Sequence, residues 1–162
     1  MAAASLAAGR ASGKVWKFGY GSNMGQKFLR EKKGLNPLDY RRTVLKGFDL
    51  FFPSGMGIDF VEPCFSTMKV NDEGEVHGVS TLFSIEDAEK LDKQEQGYNI
   101  KVFSVKLYPG ETVEGSDSID VEVYVPKQPL DAKHPAGVCS ARYRGRSREK
   151  REHQPNCKST RD

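Results

Sequence analysis

Phe18-Gly19-Tyr20-Gly21-Ser22-Asn23-Met24 follows directly on an apolar run that begins at Val15, so an extended segment ends in a glycine-bracketed polar turn. A turn of this kind frees several backbone N–H groups to point at one spot. Proteins hold carboxylates and developing oxyanions in this way without a charged side chain. Gly, Ser and Asn are also the commonest turn formers, so a plain strand-to-loop connection fits the same residues. Working outward, Gly25 to Lys33 carries Phe28 and Leu29 among charges and predicts a short helix behind the turn.

The second informative stretch lies further along. Ser84 followed by Asp87 matches a Ser-x-x-Asp helix start, and Ile85 to Glu95 contains good helix formers before Gly97, which predicts one short helix. At 100° per residue, Ala88, Glu95 and Leu91 fall within about 60° of one another, so Glu95 belongs to the apolar stripe. A carboxylate on the buried face of a helix is costly unless it is hydrogen-bonded or has a raised pKa, and a raised pKa suits a general base at neutral pH. Asp92 lies on nearly the same arc and is expected to act on Glu95 by like-charge repulsion. The competing reading has Glu95 close a solvated last turn, paired with Lys90 or Lys93.

Around these two stretches the chain is β-rich. Val15 to Tyr20, Thr43 to Phe52, Cys64 to Val70, Glu75 to Ser84, Tyr98 to Tyr108 and Ile119 to Val125 read as strands bounded by Gly, Pro, Asn and Asp clusters. Ile119, Val121, Val123 and Val125 alternate with polar residues, which predicts a strand with one buried face. Pro109-Gly110 starts a loop expected to join the last two strands as a long hairpin. The fold class is therefore α+β. The 162 residues, 37% hydrophobic and 29% charged, are ordinary usage for one soluble globular domain. No stretch approaches the roughly 18 apolar residues of a membrane span.

Tyr20-Gly21-Ser22-Asn23-Met24, then Gly74-Glu75-Val76-His77-Gly78-Val79, then Leu91-Asp92-Lys93-Gln94-Glu95 resemble, in order and spacing, three blocks of the gamma-glutamylcyclotransferases. These are a YGSN loop, a G-x-V-x-G-V strand and an L-D-x-x-E helix end, and the resemblance spans residues 15 to 108. It implies a mixed β-barrel with peripheral helices and a pocket at one end. It also implies a reaction without metal or organic cofactor, in which the α-amine of a γ-glutamyl compound attacks its own γ-carbonyl and releases 5-oxoproline. Carried onto this sequence, Glu95 is the acid/base. Phe18, Gly19, Tyr20, Gly21, Ser22 and Asn23 form the substrate cradle, and Tyr143 of Cys139-Ser140-Ala141-Arg142-Tyr143 lines the pocket. Gln96 stands where the family usually has Gly, and Gly97 supplies the turn one residue later. Tyr98, which opens the next strand, reads equally as a pocket residue and as an ordinary strand tyrosine.

The chain then divides into a leader over 1–13, a gamma-glutamylcyclotransferase-like domain over 14–143 and a basic tail over 144–162. The opening residues are Ala-rich and free of acid but lack an apolar h-region, which favours a disordered leader over a targeting remnant. Residues 133–162 carry nine Lys or Arg against three acids, a net of +6 in a chain of net +3. The excess positive charge belongs to the tail, where a solvated end is the plainer reading and nucleic-acid binding is not expected. Cys64, Cys139 and Cys157 are widely spaced and odd in number, which argues against a disulfide framework or zinc site and for reduced thiols in the cytoplasm. His77, His134 and His153 are scattered, and no nucleophilic triad, Walker loop or complete G-x-G-x-x-G is present. The resulting expectation is a cyclotransferase acting on a small γ-glutamyl compound. The alternative is a catalytically impaired binding module, motivated by Gln96 and by the departure from the family pattern beyond Tyr143.

Overall fold

A computed structural model describes residues 10–52 and 66–127. The first nine residues, Cys64, Cys139, Cys157, His134, His153, Tyr143 and the basic tail all lie outside the described residues. The chain divides into two compact units, and the one described here spans residues 1–51 and 66–130.

Five strands close into a barrel in the order β1-β3-β2-β4-β5. They are β1 (Lys14–Gly19), β2 (Asp39–Phe51), β3 (Thr67–Ser84), β4 (Tyr98–Leu107) and β5 (Ser118–Pro126). Every neighbouring pair is antiparallel except β1 and β5, which run parallel with Lys17 opposite Glu122 and Phe18 opposite Val123. That parallel seam closes the barrel and makes it mixed. The β4–β5 hairpin spans the Pro109-Gly110 loop, as the sequence predicts.

Among the described residues, two complete α-helices accompany the strands. α1 (Gln26–Glu31) follows the polar turn, and α2 (Ile85–Gln94) connects β3 to β4. Ser84 caps α2, its side chain accepting from the Asp87 amide at 3.2 Å, and Ala88 and Leu91 are fully buried. Two apolar cores result. Inside the barrel, Phe18, Tyr20, Leu45, Val105, Val121, Val123 and Val125 pack together. Between barrel wall and helices, Val15, Leu29, Leu35, Phe83, Ala88, Leu91 and Tyr124 form the second.

Three expectations need correction. The segments read as separate strands around Val70 and Glu75 form one strand, β3, because β2 continues alongside both. Only Gly47 on β2 faces the extra Asn71–Gly74 residues, an irregularity bridged by Asn71 Nδ2 donating to Asp49 at 2.8 Å. β2 begins four residues earlier than Thr43, at Asp39, where Leu82 of β3 offers a partner. β5 buries both faces: odd positions point into the barrel, while Glu122 and Tyr124 are 3% and 6% exposed beneath the helical layer.

Candidate functional site

Phe18 and Tyr20 send their rings into the barrel, with centroids 6.2 Å apart, and Tyr20 donates its hydroxyl to the Tyr124 carbonyl at 2.9 Å. The chain then leaves β1 through Gly21 into a 3-10 turn, Ser22–Met24, closed by the Met24 amide donating to the Gly21 carbonyl at 3.1 Å. No side chain caps this turn. Its first amides, at Ser22 and Asn23, have no acceptor within the turn by geometry. Gly19 is required here by close approach: a Cβ would lie 2.7 Å from the Asn23 carbonyl oxygen. A Cβ on Gly78 of β3 would likewise collide with the Phe18 ring at 2.6 Å. The glycines of two separate sequence blocks thus meet where β1 ends.

Asn23 reaches across to α2. Its Nδ2 donates to Glu95 Oε1 at 3.1 Å, joining residues 72 positions apart. Glu95 is the C-cap of α2, and its side chain is only 16% exposed, so the inward reading holds. Neither lysine of the competing reading pairs with it: Lys90 donates to the Gly34 carbonyl, and the partner of Glu95 is Lys33, at 2.5 Å. Both bonds arrive at Oε1. Among the described residues, Oε2 receives no hydrogen bond.

Tyr20, Tyr98 and Tyr124 stand close enough to feel the Glu95 charge. Burial first, and negative neighbours second, hold these phenols above the usual tyrosine range. They remain neutral, and the hydroxyls of Tyr20 and Tyr124 are already donated to the Tyr124 carbonyl and to Asp92.

A small cavity of about 10 Å³, with room for about one water molecule, adjoins the turn, lined by Gly19, Asn23, Thr81, Leu91, Lys17 and Tyr124 among others. Glu95 is not in its lining, and Asn23 connects the two. Asn23 Oδ1 is buried with no hydrogen-bond partner among the described residues. A buried acceptor without a donor costs about 1–3 kcal/mol, which a ligand N–H placed there would relieve.

Asp92 is held by cations from the barrel side. Lys17 Nζ donates to Asp92 at 2.5 Å and to Glu122 at 2.7 Å, Arg10 spans Glu122 and Asp92 at 2.7 and 2.8 Å, and the Tyr124 hydroxyl donates to Asp92 at 2.5 Å. Burial pushes the Asp92 carboxyl up, but the bonds from Lys17, Tyr124 and Arg10 outweigh it and hold the group below the usual range. Two cations and two anions thus tie the last turn of α2 to the β1–β5 seam, one turn before Glu95. His77, by contrast, is exposed on β3, contacting the Tyr108 hydroxyl and Glu75, and takes no part in the site. Among the described residues no cluster of His, Cys, Asp and Glu could hold a metal ion.

Solved structures share this architecture. A gamma-glutamyl cyclotransferase matches with a TM-score of 0.56 at 18% identity, over 91% of this chain and 92% of its own. The chain has a gamma-glutamyl cyclotransferase fold. A yeast gamma-glutamyl cyclotransferase specific to glutathione matches with a TM-score of 0.51 at 16% identity, over 91% of each chain. An AIG2-like protein from mouse matches with a TM-score of 0.53 at 15% identity, over 76% of this chain and 85% of its own. No family model matches the sequence, and no curated protein does. Among the described residues no helix is long and apolar enough to cross a membrane.

Lys33 and the Lys17–Glu122 pair escaped the sequence reading. Lys33 sat at the edge of an expected helix with nothing to mark its direction. Lys17 and Glu122 were each flanked by apolar residues in a strand, the one available signal that their face is covered as well.

Proposed function

We propose that the chain is a cofactor-independent γ-glutamyl cyclotransferase that releases 5-oxoproline from a small γ-glutamyl compound. The observation that carries this reading is the Asn23–Glu95 hydrogen bond, which brings the glycine-rich turn and the helix-end carboxylate into one site. The unpartnered Asn23 Oδ1 beside them, the neutral tyrosines and the shared fold support it.

In this mechanism the α-ammonium of the substrate docks against Glu95 and the Asn23 side-chain oxygen, and Glu95 takes one proton through its open oxygen, Oε2. The freed amine attacks the γ-carbonyl carbon, forming the ring C–N bond and placing the carbonyl electron pair on oxygen. Backbone amides of Gly19 to Ser22 receive that oxyanion. The oxyanion then collapses, the bond to the leaving nitrogen breaks as Glu95 returns its proton to that nitrogen, and Glu95 takes the second proton from the ring nitrogen and passes it to the released amine, which leaves as an ammonium. Ring closure is intramolecular, so the protein chiefly folds the substrate, moves two protons in turn and stabilises one oxygen.

The test is 5-oxoproline release from a panel of γ-glutamyl amino acids, γ-glutamyl-lysine and glutathione. Turnover of one member supports the reading and names the leaving group. Binding of the panel without product would instead favour a binding protein built on this fold.

A further inference from the structure

Neither the sequence blocks nor the mechanism above uses Lys33. Its ammonium lies 2.5 Å from Glu95 Oε1, with 13% of the side chain exposed, and among the described residues Glu95 is its only partner. The pair does not arise from one mobile side chain meeting another. The segment after α1 is laid along α2, the helix that ends in Glu95. Gln94 donates to the Lys33 carbonyl at 3.2 Å, Lys90 donates to the Gly34 carbonyl at 2.6 Å, and the Asn36 amide donates to Asp87 at 2.9 Å. Gly34, at a φ of +63°, turns the chain so that the buried Leu35 anchors it from below. The Lys33 backbone is therefore held by the same helix that carries the carboxylate.

We propose that Lys33 and Glu95 form a recognition pair for an α-amino-acid head, with the ammonium of the ligand on Glu95 and its α-carboxylate on Lys33. This rests on the cyclotransferase reading and deepens it. The two charges of an α-amino acid leave one carbon, and their N and O atoms lie about 3 Å apart. A ligand that presents its ammonium to Glu95 must therefore present its carboxylate to whatever borders Glu95, and that neighbour is a cation. The ligand enters by exchanging one ion pair for two. A lysine suits this exchange because its flexible stem and three donors let the head swing aside while the backbone stays fixed. The amides of the turn are then left chiefly to the reacting oxygen. The specificity that follows is for γ-glutamyl compounds whose α-carboxylate is free, and against their α-carboxamides.

Calorimetry with a γ-glutamyl analogue whose γ-carbonyl is replaced by a methylene, so that it cannot cyclise, tests the pair without turnover. The analogue is used with a free α-carboxylate and as the α-carboxamide. The native chain is expected to prefer the free acid by on the order of 10-fold to 100-fold, the scale of a hydrogen bond to a charged group. Lys33→Met should abolish that preference, Lys33→Arg should retain part of it, and Lys27→Met, which removes an exposed cation of α1 away from the pair, should leave it unchanged. Equal retention of the preference in Lys33→Met would overturn the role of Lys33 while leaving the cyclotransferase reading intact. Equal binding of both analogues by the native chain would overturn it as well. Failure of the native chain to bind either analogue would overturn both readings together.

Discussion

Substitution of Lys17 by Met offers a direct test of what holds α2, and with it Glu95, against the barrel. Lys17 and Glu122 are each 3% exposed, whereas Arg10 and Asp92 are 24% and 20% exposed. Removing the Lys17 ammonium leaves two carboxylates facing one guanidinium. Breaking a buried pair by deleting one partner costs about 3–5 kcal/mol. Glu122 keeps both bonds from Arg10, and Asp92 keeps Arg10 and the Tyr124 hydroxyl, so the low end, about 3 kcal/mol, applies. With a urea m-value of about 2 kcal/mol/M, the unfolding midpoint should fall by about 1.5 M. Adding Glu122→Gln restores charge balance, so the double variant should recover about 1–2 kcal/mol relative to Lys17→Met alone. Urea unfolding followed by circular dichroism reads all the variants. A midpoint shift under about 0.3 M for Lys17→Met, or a double variant that loses the sum of the singles, would refute the network as a coupled unit.

Other consequences are equally open to measurement. The Asp92 carboxyl is held below its ordinary value of 3.8, so its stabilisation is complete above that pH and is lost as the pH falls below 3.8 through the folded value. Asp92→Asn should lower stability at neutral pH and flatten the acid loss in that window; an unchanged slope would contradict the assignment. Gly19→Ala places a Cβ against the Asn23 backbone, so it should cost about 1–3 kcal/mol and displace Asn23 from Glu95. Native stability and native turnover in that variant would show that the turn tolerates the methyl. Ser84→Ala removes the α2 cap and should cost about 1 kcal/mol, whereas Ser84→Asp should be nearly neutral. Equal losses in the two would argue that the cap bond contributes little.

Local signals carried much of this structure into the sequence. The strand that runs into Gly19, the Ser84 cap and the stripe of Ala88 and Leu91 each depend on neighbours within a few residues, and each was read as it stands. The expectation of a barrel, and the proposed reaction, rest on the three-block resemblance rather than on periodicity. What stayed hidden depends on closure. The alternation of Ile119 to Val125 was taken as a strand with one wet face, because nothing nearby in sequence says that α2 covers Glu122 and Tyr124. The parallel β1–β5 seam that sets Lys17 opposite Glu122 joins residues more than a hundred positions apart. The helical wheel sets Asp92 near Glu95 but does not include the cations that Arg10 and Lys17 bring from elsewhere. The β2 irregularity at Gly47 joined two expected strands into one for the same reason: the partner strand decides continuity.

The central claim is that Glu95 moves the proton in a ring closure, and conversion of Glu95 to Gln tests it most directly. The variant keeps an oxygen to accept from Asn23 and Lys33 while losing its basicity, so fold and ligand binding should survive. With 5-oxoproline release followed by mass spectrometry on the best panel substrate, the account predicts a loss of turnover on the order of 10²-fold or more. Turnover equal to that of the native chain in a folded Glu95→Gln variant would contradict it.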